Sequence, residues 1–326
     1  MKHIVIIGGG TGASILLSGL RDFPVRISVI FSTADDGGSS GQLRRELQVL
    51  PPGDLRQGLL ALSQTDPAFR RLLAYRFEQG FLKGHVVGNI ALAALEKIFG
   101  APEPAIAAAT KILKVKGELA PVTLFPTTLS AVLENGRKIV GEHNLDEPRH
   151  DGNLRIKSLN LTPSSPANPR ALRLLRQADA IVFGPGDLYT SILPNLLVKG
   201  IKPAIKKARG RKVLVTNLMT KYGQTNKFKA SDFLYNLEKY LGKGIIDLMV
   251  VNTKKPSRPW LLRYRKRRSE FVGPDMAKLR SRGLSVAAAP LLSETIFAKS
   301  QADRLVRSYL RHDSRKLAKI LYRVAN

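Results

Sequence analysis

Residues 8–12 read Gly-Gly-Gly-Thr-Gly and follow directly on the apolar run Ile4-Val5-Ile6-Ile7; the helical spacing of Ile15, Leu16, Leu17 and Leu20 comes next. A buried strand that turns at once into a helix leaves the first helical amides unpaired and partly positive. Glycine permits the backbone geometry of such a turn and lets a phosphate approach the main chain. Gly9, Gly10, Thr11 and Gly12 are therefore candidates for anion binding, most simply of a nucleotide phosphate. The pattern departs from the dinucleotide fingerprint in two ways. Ala13 stands at the third glycine position, and no acidic residue closes the second apolar run, 25–31. Redox use of a nicotinamide cofactor is not the expected chemistry.

The second apolar run ends in Ser32-Thr33, and Asp35 and Asp36 follow in a loop that carries Ser39 and Ser40 before a helical pattern at 42–47. Paired carboxylates there have three possible roles: holding Mg²⁺ on a phosphate, bonding ribose or sugar hydroxyls, or capping turns and helix starts. His85 lies between glycines ahead of a helix start, placed for packing or for ligand contact. Asn89 can meet a base or sugar edge, or cap the apolar helix 90–99. Asp54, after Pro51-Pro52-Gly53, is positioned to cap a helix at 55–63. The opening device then recurs: the strand 179–183 runs into Gly184-Pro185-Gly186-Asp187-Leu188-Tyr189-Thr190, ahead of a helix at 192–198 that contains Asn195. Its amides can face the first junction, or it is a crossover without a ligand. The strand 212–217 ends at Asn217, in a polar loop that includes Thr220. No nucleophile–base–acid triad can be assembled from local spacing.

The elements that position these residues alternate between strand and helix. This spacing predicts a mainly parallel, doubly wound, Rossmann-like α/β sheet, in one domain over 1–326. Helices at 67–77 and 105–114 belong to a helical insertion over about 53–114. Asn135-Gly136 between two β-rich runs predicts a hairpin, joined by a strand at 154–161. Asn168 opens a helix to 178, further strands fall at 245–252 and 284–289, and Asp313 caps a last amphipathic helix at 314–324.

Of 326 residues, 44% are hydrophobic and 24% charged, the balance of a folded protein. No apolar run is long enough to span a membrane, and no signal peptide is visible. With no cysteine there is no disulfide, thiolate metal site or cysteine nucleophile. A cytoplasmic location is expected. Lys and Arg total 53 against 25 acids, a net +28. That field favours phosphorylated ligands and non-specific polyanion binding. Segment 254–282 concentrates it, with eleven Lys or Arg against Glu270 and Asp275, and holds the only tryptophan, Trp260. The segment reads as a solvated insertion or a polyanion surface, with Arg267 far from the glycine loops. Aromatic residues at 6% leave few stacking platforms for nucleic acid.

Taken in order, Gly8-Gly-Gly-Thr-Gly12, Ala34-Asp-Asp-Gly-Gly-Ser-Ser-Gly41, Pro52-Gly-Asp-Leu-Arg56, Tyr75-Arg-Phe77, Gly84-His85 with Gly88-Asn89, the 184–195 junction, Asn217-Leu-Met-Thr220 and Arg311-His-Asp313 resemble the YvcK family of gluconeogenesis factors. That family is similar in fold to CofD, a 2-phospho-L-lactate transferase. The resemblance covers nearly the whole chain. It implies a bacterial protein that binds UDP-sugars such as UDP-N-acetylglucosamine or UDP-glucose, tied to carbon metabolism, cell shape and envelope synthesis, with no established catalysis. It brings Arg311 to the ligand pocket and makes a dimer the expected assembly. The alternatives are a CofD-like, Mg²⁺-dependent transferase and a polyanion-binding protein. Two departures stand out: Asp187 replaces an expected serine, and Lys221-Tyr-Gly-Gln-Thr225 replaces an expected Gln-Pro-Gly-Glu-Thr.

Overall fold

A computed structural model of the chain describes residues 1–295 and 308–325. Its strands, in chain order, are β1 (His3–Ile7), β2 (Arg26–Phe31), β3 (Glu118–Pro121), β4 (Thr128–Leu133), β5 (Lys138–Val140), β6 (Ile156–Thr162), β7 (Ala180–Phe183), β8 (Arg211–Val215), β9 (Leu248–Asn252) and β10 (Ser285–Ala289). Seven of them form one parallel sheet in the order β10-β9-β8-β7-β1-β2-β3. The two central strands are short and dominated by apolar residues, β7 wholly so and β1 from Ile4 onward, because both of their faces are covered. In β1, Ile4 and Ile6 pack into one core, with the helices Gly10–Leu20, Pro52–Leu62 and Ser314–Ala325. Val5 and Ile7 pack into the other, with the helices Pro169–Gln177 and Ala230–Leu241. The side-chain period of two thus builds two cores from one strand.

Chain order reverses at β1. The chain leaves β1 toward β2 on one side, and β7 feeds β8 on the other. Such a switch point leaves a crevice between the carboxyl ends of its two central strands, here β1 and β7. Ile7 pairs with Ile30 and with Phe183, so residues 8–12 and 184–187 emerge side by side.

Between β2 and β3 the chain is helical, as expected: Gly38–Leu47, Pro52–Leu62, Pro67–Ala74, Val87–Phe99 and Pro102–Ile112. The third of these stops short of the expected 67–77, because Tyr75 is extended and its amide closes on the Leu72 carbonyl. β4, β5 and β6 form the separate antiparallel sheet with the hairpin at Asn135-Gly136. A short helix, Glu142–Asp146, leaves β5 and lies over the switch-point crevice, as its cavity-lining residues show. Beyond Gly186 the helix begins earlier than 192, as a π-helical turn Leu188–Ile192 that continues into Leu193–Leu197. Asp313 caps the last helix as expected, its Oδ1 accepting from the Lys316 amide at 2.9 Å.

Candidate functional site

A cavity of ≈ 680 Å³ opens at the switch point, within the range of small-molecule sites. Both glycine junctions line it. At the first, Gly10 has φ +67°, a left-handed conformation that disfavours side chains. At Gly12 a Cβ would stand 2.5 Å from the Pro185 carbonyl oxygen, so only glycine lets the two junctions touch. The Gly10 amide donates to Asp54 Oδ1 at 2.8 Å. Asp54 therefore does not cap its own helix, whose N-cap is Pro51. Its carboxylate reaches across to the neighbouring junction and takes one of the amides that the sequence offers to a phosphate.

Of the residues singled out from sequence, Gly9, Gly10, Thr11, Gly12, Asp35, Ser39, Ser40, Asn89, Gly186, Asp187, Thr190, Asn217, Thr220 and Arg311 all line this one cavity. Five do not. Asp36 turns away, and its Oδ1 accepts from the His143 amide at 2.8 Å, tying down the short helix Glu142–Asp146. His85 lies behind the wall, its Nδ1 3.3 Å from Ser39 Oγ. Gly184 has φ +80° and forms the bend itself. Tyr189 is in the core and donates to Asn236 Oδ1 at 3.0 Å. Asn195 is fully buried, and its Nδ2 donates to the Ser191 carbonyl at 2.8 Å.

Asn89 does not cap its helix, whose N-cap is Val86. Instead its Oδ1 accepts from Arg56 Nε at 2.7 Å and its Nδ2 donates to Ser39 Oγ at 3.1 Å. Arg56, Asn89, Ser39 and His85 thus form one polar chain that fixes the Ser39 hydroxyl at the wall.

The opposite wall is acidic. Glu142 and Asp146 line the cavity with Asp35. Burial, then the charges of Asp146 and Asp35, push the Glu142 carboxyl well above the usual range. Asp146 is held by Lys221, which also donates to Asp187 Oδ2 at 2.7 Å. The two positions that depart from the expected motifs are therefore partners of one ion pair.

The basic segment is not remote. Its helix Arg258–Arg265 places Tyr264 against Leu310 in a small core, and the Tyr264 hydroxyl accepts from the Tyr309 and Leu310 amides at 2.9 and 3.0 Å. Tyr264 and Arg267 line the cavity with Arg311 and His312. The expectation that Arg267 lies far away is wrong, because packing folds the segment back over the end of the sheet. Its guanidinium stacks 4.4 Å from the Tyr309 ring centroid. Burial drives the His312 imidazole down to about 4, so it is neutral at pH 7.

Asp54, Arg56, Glu142, Asp146 and Arg267 are site residues that local patterns did not assign. Only Asp54 and Arg56 had a signal, the Pro-Gly-Asp-Leu-Arg motif. The others reach the cavity from separate, unpatterned segments.

The CofD family, described as 2-phospho-L-lactate transferase, has a model that matches residues 4–292. A Thermotoga maritima protein is 42% identical over 99% of both chains. The gluconeogenesis factor of Bacillus subtilis is 39% identical over 98% of this chain and 96% of its own. A crystal structure of a Bacillus halodurans protein superposes with a TM-score of 0.90 at 39% identity, covering 98% of this chain and 99% of that one. Among the described residues no helix is long and apolar enough to cross a membrane.

Proposed function

The chain belongs to the CofD family and groups with its relatives named gluconeogenesis factor, the YvcK family, and on that premise we propose that it is a nucleotide-sugar-binding regulatory protein. The ligand class is a UDP-sugar, and the role is a cytoplasmic one in carbon metabolism and envelope synthesis. One observation carries this reading: two glycine-rich strand–helix junctions from adjacent strands open on a single cavity at the switch point. Amides at Thr11, Gly12 and Gly186 suit a diphosphate. Ser39, Asp35 and Asn217 suit hydroxyls and a base edge. The Asn217 Oδ1 atom is buried with no protein partner, which fits a ligand donor.

The second reading is a CofD-like transferase, favoured by the carboxylates that share the cavity. Among the described residues no group of three or more metal-ligating side chains converges. A Mg²⁺ ion carried on a diphosphate needs only one or two carboxylates, and Asp35 is the member of the original pair that faces the cavity. Such an ion would neutralise developing phosphate charge, while the chain's own residues would orient the phosphates.

Calorimetry with UDP-N-acetylglucosamine, with and without Mg²⁺ and with turnover followed, separates the two. Binding without consumption is the expected result. Consumption of the ligand would favour the transferase, and no binding would overturn both.

A further inference from the structure

Lys221 stands in the cavity wall where three chain segments meet. Its Nζ donates to Asp187 Oδ2 at 2.7 Å and forms a second ion pair with Asp146. Asp187 follows Gly186 directly, and its carbonyl accepts from the Ser191 and Ile192 amides at 2.8 and 3.1 Å, opening the π-helical turn. Asp146 ends the short helix over the crevice, and its carboxylate also accepts from Gln224 Nε2 at 3.2 Å and Thr190 Oγ1 at 3.4 Å. Asp187 is the more exposed of the two carboxylates, at 33% against 15%, and it is the one beside the glycine loop. Burial by itself would lower the Lys221 pKa, but the two carboxylates outweigh it and hold the ammonium above the ordinary lysine range. It is a cation throughout the neutral range.

A carboxylate next to an anion loop repels the ligand that the loop is built to hold, and partial burial strengthens the repulsion. We propose that Lys221 is the counter-ion that makes the second glycine junction acceptable to a diphosphate: it neutralises Asp187, holds that carboxylate in an ion pair, and so sets the affinity of the site for anionic ligands. Lys221 is a positioning residue that acts through Asp187. This inference rests on the nucleotide-sugar reading.

The test is a charge-removal and rescue series read by calorimetry with UDP at about 0.15 M salt. Lys221→Gln should weaken UDP binding about tenfold or more, because it leaves a like charge facing the phosphates. Lys221→Arg, which keeps the charge, should retain most of the affinity. Lys221→Gln combined with Asp187→Ser should recover most of the loss, a result that a merely structural role for Lys221 would not produce. Thermal melts of all four proteins report folding, and the double variant keeps the proposal testable if the single one is unstable. Unchanged affinity in Lys221→Gln, or a double variant as weak as the single, overturns the inference and leaves the nucleotide reading standing. Absence of UDP binding by the unaltered protein removes that reading, and this inference with it.

Discussion

Asp35 and Asp36 are neighbours in sequence that the fold gives different tasks. Asp35 lines the cavity, whereas Asp36 accepts from the His143 amide and anchors the helix that roofs it. Asp36→Ala should therefore cost about 1–3 kcal/mol of stability, the cost of orphaning a part-buried donor to a charged acceptor. Its UDP-sugar affinity should fall less than that of Asp35→Ala. Calorimetry and denaturant melts on both variants check this; equal affinity losses with no loss of stability would contradict it. His312 makes a pH prediction. Its folded pKa, about 4, lies below the ordinary 6.5, so the neutral form is the one that folding favours. Its contribution is present above about pH 6.5 and is lost as pH falls toward 4, a change of roughly 3 kcal/mol in all. Urea melts from pH 7.5 to 4 should show a shallower decline in His312→Gln than in the unaltered chain. Parallel declines would show that His312 is not the group responsible.

At the scale of elements, the two junctions work as a pair because each lacks a side chain where the other passes. Gly12→Ala would set a Cβ against the Pro185 carbonyl, a backbone atom that cannot swing aside. Both the melting temperature and the UDP-sugar affinity should fall, with circular dichroism confirming the remaining fold. A variant with unaltered affinity would show that the close approach of the junctions is not needed for binding. These junctions were legible in the sequence, because strand, glycine turn and helix follow one another locally. The hairpin at Asn135-Gly136 and the cap at Asp313 were legible for the same reason. Asp54 was not: a carboxylate in a helix's first turn looks like a cap, and only the tertiary packing turns it toward Gly10. Tyr189 and Asn195 erred in the opposite direction. They lie in a motif-rich stretch, but Tyr189 in the π-helical turn and Asn195 in the helix that continues it both have their side chains in the core.

At the scale of the whole molecule, the parallel sheet and its helical faces followed from the alternation of strand and helix, while the reach of the basic segment over the cavity did not. Nothing in the spacing of its charges tells that Tyr264 anchors it to Leu310. Net charge and site charge should also separate in experiment. Arg311→Ala, at the cavity, should weaken UDP-sugar binding strongly, because a guanidinium can fork onto a diphosphate. Arg267→Ala should weaken it too. Lys111→Ala, on an exposed helix face away from the cavity, should change affinity little at about 0.15 M salt, where exposed charges are screened beyond about 8 Å. Equal small losses in all three would mean that bulk charge, not the site, attracts the ligand. The most direct measurement is a crystal structure of the chain grown with UDP-N-acetylglucosamine. The account predicts the diphosphate between residues 9–12 and 185–187, with Arg311 and the Lys221–Asp187 pair at its edge. A nucleotide bound elsewhere, or a cavity left without it at saturating ligand, would contradict it.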